Sequence, residues 1–305
     1  MVDFKNKLIL APMAGYSDLG LRILCERYGA DITVSEMISA KAIMFGSEKT
    51  NKMLKTCGLT KTKGVQLFGN DENVFESVIR SGKLDEFDYI DLNMGCPAPK
   101  IVKNKEGSFL MKDLTKASKI ISACVKSTTK PVTVKFRLGE DDEHIVCTQF
   151  AKMCEDSGAK MITIHGRTVE QKYSGTANLE LIKKVVDSVK IDVCGNGDVI
   201  DKQSYENMLA TGVKSVMIGR KAIGNPYIFS EILGKNYTKN LLSDIIFHYN
   251  KQCEIYSETT VLNNMKKHLA FYLKGQENFK EILPVIYKAT TINKTLNILE
   301  NFLKK

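Results

Sequence analysis

Eight short, largely apolar runs, each followed by a turn and then a helix-like stretch, constrain this chain more than any other feature. They occupy residues 7–13 (KLILAPM), 31–37 (DITVSEM), 63–69 (KGVQLFG), 89–95 (YIDLNMG), 131–139 (PVTVKFRLG), 161–167 (MITIHGR), 191–198 (IDVCGNGD) and 215–220 (SVMIGR). Near-continuous apolar composition is expected of strands buried on both faces, as in a parallel sheet. Residues 19–28, 73–80, 114–126 and 143–157 space their apolar positions by three and four, the helical period. Asp71, Asp113, Asp142 and Asp201 stand where N-caps belong, and Gly29, Gly158 and Gly212 where helices stop. Eight such units predict an α/β fold, a closed (β/α)8 TIM barrel. An open doubly wound sheet is the alternative, but the even spacing favours closure.

After Ile232 the strand signal ends. Residues 241–256, 261–273, 279–287 and 292–303 carry helical periodicity, and Pro284 is expected to kink or split the third of these. The chain therefore divides into a barrel domain, residues 1–234, and a small C-terminal helical bundle domain, residues 235–305. The formal net charge is +9. Residues 235–305 hold eleven Lys and six acids, hence 11 − 6 = +5. A basic segment fits a polyanionic partner, nucleic acid before membrane; solvated surface lysines in a lysine-rich chain explain it equally well. Eight cysteines form no CxxC pair, so zinc and iron–sulfur readings are weak and no metal is expected. No apolar run approaches the roughly 18 residues of a membrane span and no leader opens the chain, so a cytoplasmic location is expected.

Polar residues gather at the carboxyl ends of the predicted strands, where barrel enzymes build their sites. Pro12, Met13 and Ala14 follow the first, Gln66 lies in the third, and Asn93 leads from the fourth into Gly95-Cys96-Pro97. Lys135 and Arg137 lie in the fifth, His165 and Arg167 end the sixth, and Asn196-Gly197-Asp198 and Gly219-Arg220 end the seventh and eighth. The last two segments are a phosphate-site candidate, since glycines admit close backbone approach and Arg220 adds charge; tight βα turns account for the same glycines. Lys135 sits in an apolar strand and needs an anionic partner, either a reduced flavin ring or a carboxylate in the barrel floor. Gln66 offers a donor and an acceptor to a pyrimidine-like ring edge or to a turn. Cys96, between Gly and Pro, is presented by a turn rather than packed. No G-x-G-x-x-G run follows a strand, so a nicotinamide donor would visit and leave.

The run DLNMGCPAPKIVKNKEGSFLM, residues 91–111, resembles the tRNA-dihydrouridine synthase family. So do LAPMAGYSD at 10–18, VKFRLG at 134–139, ITIHGRTVEQKYSG at 162–175, GNGD, MIGRKAIGNPYIF at 217–229 and, in the tail, NMKKHLAFYLKG at 264–275. The similarity covers nearly the whole chain and is strongest to the bacterial branch. It implies a flavin enzyme that reduces the C5=C6 bond of uridines in tRNA, with NADPH or NADH as transient reductant, FMN as cofactor and no obligate protein partner. On this resemblance Pro12, Met13, Ala14 and Gln66 would contact the FMN ring, and Lys135 and His165 would bind the flavin. Asn196, Gly197, Asp198, Gly219 and Arg220 would surround its phosphate arm. Cys96 would be the proton donor, and Asn93, Arg167 and Lys172 would face the substrate. Phosphate contacts to tRNA are expected from the basic tail, with Lys266, Lys267, His268 and Lys274 as candidates. A dihydroorotate-dehydrogenase-like flavoprotein, a tRNA-binding factor without catalysis and a phosphate-binding barrel lyase are the competing readings.

Overall fold

The structure, a computed structural model, describes residues 2–304. Eight parallel strands form a closed barrel: β1 (Lys7–Leu10), β2 (Ile32–Ser39), β3 (Thr62–Phe68), β4 (Tyr89–Asn93), β5 (Val132–Arg137), β6 (Met161–His165), β7 (Asp192–Asn196) and β8 (Ser215–Ile218). β8 pairs with β1 to close it. Around it run α1 (Leu19–Arg27), α2 (Ala40–Met44), α3 (Glu48–Met53), α4 (Glu72–Arg80), α5 (Pro99–Lys103), α6 (Leu114–Lys126), α7 (Cys147–Asp156), α8 (Leu179–Ser188), α9 (Lys202–Leu209) and α10 (Ile228–Leu233). The chain then continues as α11 (Leu241–Cys253), α12 (Glu258–Tyr272), α13 (Phe279–Tyr287) and α14 (Ile292–Leu303). This is the TIM barrel followed by helices that the sequence pattern predicts.

Most strands stop short of their apolar run. β6 ends at His165 and β7 at Asn196, because the residues beyond leave the ladder and form the rim loops. β2 instead runs on to Ser39, with a register irregularity between Val34 and Met37. The side chains of Asp71, Asp113 and Asp201 accept the N–H groups of Asn73, Lys116 and Ser204, as N-caps do. Asp142 does not cap α7. That helix starts later, at Cys147, and an antiparallel bridge between Gly139 and Ile145 takes up the intervening chain. Pro284 does not split α13, which runs unbroken from Phe279 to Tyr287. A single missing N–H is tolerated there because the helix is packed by α12 and α14.

Three clusters make up most of the core, beside a small one of Leu19, Ile23 and Leu59. Leu8, Val65, Ile90, Val134 and Ile162 point outward and pack under the helices. Ile9, Val34, Tyr89, Met161 and Met217 fill the barrel interior, plugged from below by Phe4 against Tyr89. Ile245, Val261, Met265, Leu269 and Leu299 form a separate core in the tail, joined to the barrel through Leu24 of α1. Cys25, Cys124, Cys147, Cys154 and Cys194 are buried free thiols. Among the described residues no helix is long and apolar enough to cross a membrane.

The tail touches the barrel rim at Gly224, where a Cβ would overlap the backbone of Phe271 and Tyr272. Gly224 also has φ +69°, which a side chain disfavours. Gly224→Val should therefore cost about 1–3 kcal/mol, since backbone cannot swing aside. A denaturant midpoint equal to that of the parent would show that α12 does not rest on this loop.

Candidate active site

Strand register explains how residues far apart in sequence meet. Parallel pairing aligns Gln66 with Asp91 and Asp91 with Thr133. It aligns Asn93 with Lys135, then Arg137 with His165 and His165 with Asn196. Alternate residues share a face, so these side chains project together towards the carboxyl mouth. There Gln66, Asn93, Lys135, Arg137, His165 and Asn196 border a cavity of about 1130 Å³. Pro12, Met13 and Ala14 form one wall, Cys96 and Pro97 another, and Gly197, Asp198, Gly219 and Arg220 a third. The outer part of the cavity reaches Phe271, Lys274 and Gln276 of the tail. A smaller cavity of about 270 Å³ lies under the opposite face, beside Val2, Phe4 and Lys160, and gathers no comparable set of polar groups.

A chain of hydrogen bonds fixes the inner polar residues. The N–H groups of Gly95 and Cys96 donate to Asn93 Oδ1, at 3.3 and 2.9 Å. Asn93 Nδ2 must then face the other way, and donates to Gln66 Oε1 at 2.8 Å. Gln66 Nε2 in turn donates to Asp91 Oδ2 at 2.6 Å. Thr133 Oγ1 donates to the other Asp91 oxygen, also at 2.6 Å. Asp91, which opens the run at 91–111 but to which the sequence assigns no role, is thus the anchor of the row. Burial raises its carboxyl above the usual range, opposed by the bonds from Thr133 and Gln66.

Lys135 reaches inward and makes one hydrogen bond, from Nζ to Asn196 Oδ1 at 3.1 Å. Burial first, then the nearby Arg137, depresses its ammonium to about 8. Asn196 is held by a bond from Nδ2 to Met217 O, so it presents its oxygen to the lysine. Burial and the neighbouring cations, Lys135 foremost, hold His165 well below the ordinary histidine range, so its imidazole is neutral at pH 7. The region is therefore electropositive and short of counter-charge.

Cys96 is half-buried in the turn after β4 and faces this cavity. Burial pushes its thiol up, while the Ala98 N–H, Arg137 and Lys135 pull in the other direction. The net rise keeps it protonated at neutral pH, the state of an acid rather than of a nucleophile. Arg137 braces the turn: Nε donates to Gly95 O, and Nη1 to Thr168 O and Lys172 O, tying the β4 and β6 loops together.

Several expected site residues lie elsewhere. Arg167 is buried and does not border the cavity; Nη2 donates to both oxygens of Asp198, at 2.8 and 2.6 Å, and to Gly175 O. A strand-end arginine looks the same in sequence whether it turns inward or outward. Lys172 adopts φ +48° and contributes its carbonyl to Arg137, with its side chain outside the cavity. Lys266 and Lys267 are half-buried. Lys267 Nζ lies over the Tyr16 ring, 5.4 Å from its centroid. His268 is fully buried against Asp18, so it offers nothing to an outside partner. Lys274 is exposed at the outer mouth, with Lys239 and Lys221 also along the cavity. Arg220 pairs with Asp198 at 3.3 Å and lies 4.9 Å from the Tyr173 ring centroid. The backbone N–H groups of Gly197, Asp198 and Gly219 have no protein acceptor among the described residues.

Comparison with known proteins agrees in direction. Residues 9–305 match the family described as dihydrouridine synthase (Dus). The chain is 37% identical over 299 residues to a probable tRNA-dihydrouridine synthase of Rickettsia bellii, covering 92% of this chain and 89% of the relative. It is 36% identical over 289 residues to tRNA-dihydrouridine synthase B of Vibrio parahaemolyticus, covering 92% and 90%. Against tRNA-dihydrouridine synthase B of Shewanella oneidensis the identity is 35% over 285 residues, covering 90% and 88%.

Proposed function

This chain belongs to the dihydrouridine synthase family, and from that premise we propose that it reduces uridine to 5,6-dihydrouridine within tRNA, with FMN in the rim cavity and NAD(P)H as the visiting reductant. The observation that carries this reading is the convergence of Cys96, Lys135, Gln66 and Asn93 on one cavity. FMN fits the residues present. Lys135 is a half-buried cation with a single hydrogen bond, and an anionic ring edge would relieve that. The free N–H groups of Gly197, Asp198 and Gly219, beside Arg220, suit a phosphate. Met13 and Ala14 supply an apolar wall for a flat ring.

Bound FMN would supply hydride to one carbon of the pyrimidine double bond. The chain supplies the rest. Cys96 holds a proton at Sγ and delivers it to the neighbouring carbon. Asn93 fixes the Cys96 turn through two backbone bonds, so the sulfur is aimed before substrate arrives. Gln66, already committed to Asp91 and Asn93, keeps one amide hydrogen for a ligand. The target base must leave its stack to reach this depth, which costs a few kcal/mol. Contacts to the RNA backbone offset that cost, and Lys221, Lys239 and Lys274 flank the entrance. A cytoplasmic location fits a protein that acts on tRNA.

Two measurements bear on the reading. Mapping dihydrouridine in tRNA from cells lacking the protein should show specific uridines left unreduced; an unchanged map would reject it. The double reversal Lys239→Glu, Lys274→Glu should weaken tRNA binding and flatten its salt dependence, by about 0.7–0.9 in the log–log slope per phosphate no longer neutralised. The flavin absorbance should stay as in the parent. A parental slope would move the RNA contacts away from this entrance.

A further inference from the structure

We infer that Asp18, His248 and His268 are positioning residues through which the helical tail sets the shape of the cavity wall at Pro12, Met13 and Ala14. The inference extends the reading above, in which that wall borders FMN.

Asp18 follows the loop that forms this wall and serves as N-cap of α1, its Oδ1 accepting the Leu21 N–H at 3.0 Å. Two imidazoles from the tail converge on the same carboxylate. His248 Nε2 of α11 lies 2.8 Å from Oδ1. His268 Nε2 of α12 lies 3.0 Å from Oδ2, off the line of a good hydrogen bond. Both rings are fully buried, 4.6 Å apart between centroids, and His248 Nδ1 is held by the Tyr272 hydroxyl at 3.0 Å. Burial pushes the Asp18 carboxyl up, yet the two histidines prevail and hold it well below the usual range. The separations are those of polar contacts. Three ligands around one zinc ion at about 2.0–2.1 Å would sit about 3.3 Å apart.

The fold makes specific room for this contact. A Cβ at Gly20 would overlap the His248 ring, so α1 admits the histidine only because that position is glycine. The loop between the wall and Asp18 is itself tightly tied. The Met13 N–H donates to Ser17 Oγ at 2.8 Å, the Ser17 N–H donates to Met13 O at 3.0 Å, and the Gly15 N–H donates to the Glu36 carboxylate. Tyr16 packs edge-on against His268, with centroids 5.5 Å apart, and Lys267 Nζ sits over it. The loop therefore has barrel partners on one side and tail partners on the other. Without the tail, Asp18 would keep its place in α1 but lose the His248 hydrogen bond and the His268 contact, and the loop would have reason to rearrange. The tail thus acts on the cofactor cavity as well as on RNA.

The test uses the full-length protein and two readouts. Hydrogen exchange at residues 13–17, followed without ligand, reports the loop directly. Fluorescence titration of the flavin-free protein with FMN reports the wall. His248→Ala and His268→Ala should each speed exchange in the loop and raise the FMN Kd by about tenfold or more, about 1.4 kcal/mol. His248→Gln, which can still donate to Asp18, should recover much of both. Leu299→Ala serves as the comparison, since it opens the tail core without touching the clamp. It should lower the unfolding midpoint and leave loop exchange and FMN affinity near the parent's. Parental exchange and affinity in both histidine variants would overturn the inference. So would equal losses in Leu299→Ala at matched stability, which would reduce the clamp to ordinary docking. A parent protein that binds no FMN would instead sink the functional reading, and loop exchange would still decide the clamp.

Discussion

Cys96→Ala should retain full FMN absorbance and bind tRNA with parental affinity, yet form dihydrouridine about 10²–10⁴-fold more slowly. The reason is local. The cysteine backbone, not its sulfur, accepts the structural duties of the turn: its N–H donates to Asn93 Oδ1 and its carbonyl accepts from the Ser108 N–H. Removing Sγ leaves those bonds in place and takes away the proton held over the cavity. Cys96→Ser should restore only part of the rate, since a hydroxyl is a far weaker acid than a thiol. The rate of FMN reduction by NAD(P)H, measured separately by stopped flow, should be unaffected in both variants. A Cys96→Ala protein that reduces tRNA at the parental rate would remove the thiol from the chemistry.

Lys135→Met should move two quantities in opposite directions. In the flavin-free protein the ammonium is largely removed from water, meets one hydrogen bond, and titrates near 8 rather than at the ordinary 10.5. Between these values the folded chain binds fewer protons than the unfolded one, so its stability rises with pH across that window. Below about 8 both states are protonated and the penalty is present in full, on the order of 3 kcal/mol. The methionine variant without flavin should therefore be the more stable protein at pH 7, by an amount of that order. It should also lose the rise above pH 8. Loaded with FMN, it should show the reverse of a gain. The negative charge of the reduced ring would lack its cation, and the midpoint potential should fall by tens of millivolts, where about 30 mV is 1.4 kcal/mol for a two-electron couple. A site that gives up stability to hold an anion predicts this pair of changes. Equal stability at pH 7, with an unshifted potential, would show that Lys135 serves the barrel alone.

The barrel is legible in the sequence because its strands are buried on both faces, which leaves short, near-continuous apolar runs that no amphipathic helix would show. The rim is legible for a related reason. Polar residues such as Asn93, Lys135 and His165 interrupt those runs only near their carboxyl ends, and parallel register then carries them to one mouth. What stays hidden are pairings that leave no local period. Asp91 reads as an ordinary acid in a strand, and only its two 2.6 Å bonds show that it anchors Gln66 and Thr133. Arg167 stands in a run that suggests a ligand contact, yet it turns inward to Asp198. His268 follows two tail lysines in sequence and so shares their basic signal. Helical phase turns it inward, against a carboxylate 250 positions earlier in the chain. The same holds for His248 and Asp18, which lie 230 positions apart. Such contacts follow from how two packed units meet, which periodicity within either unit does not encode.

The central claim is that one cavity would hold FMN and bring a uridine within reach of the Cys96 thiol. The most direct measurement is the mass of an unmodified tRNA transcript after incubation with the FMN-loaded protein and NADPH without oxygen. The account predicts that specific uridines each gain two hydrogen atoms, with at least one deuterium incorporated per site when the reaction is run in D2O, the one that passes through the thiol. A transcript whose mass is unchanged under full flavin loading and steady NADPH supply would contradict it.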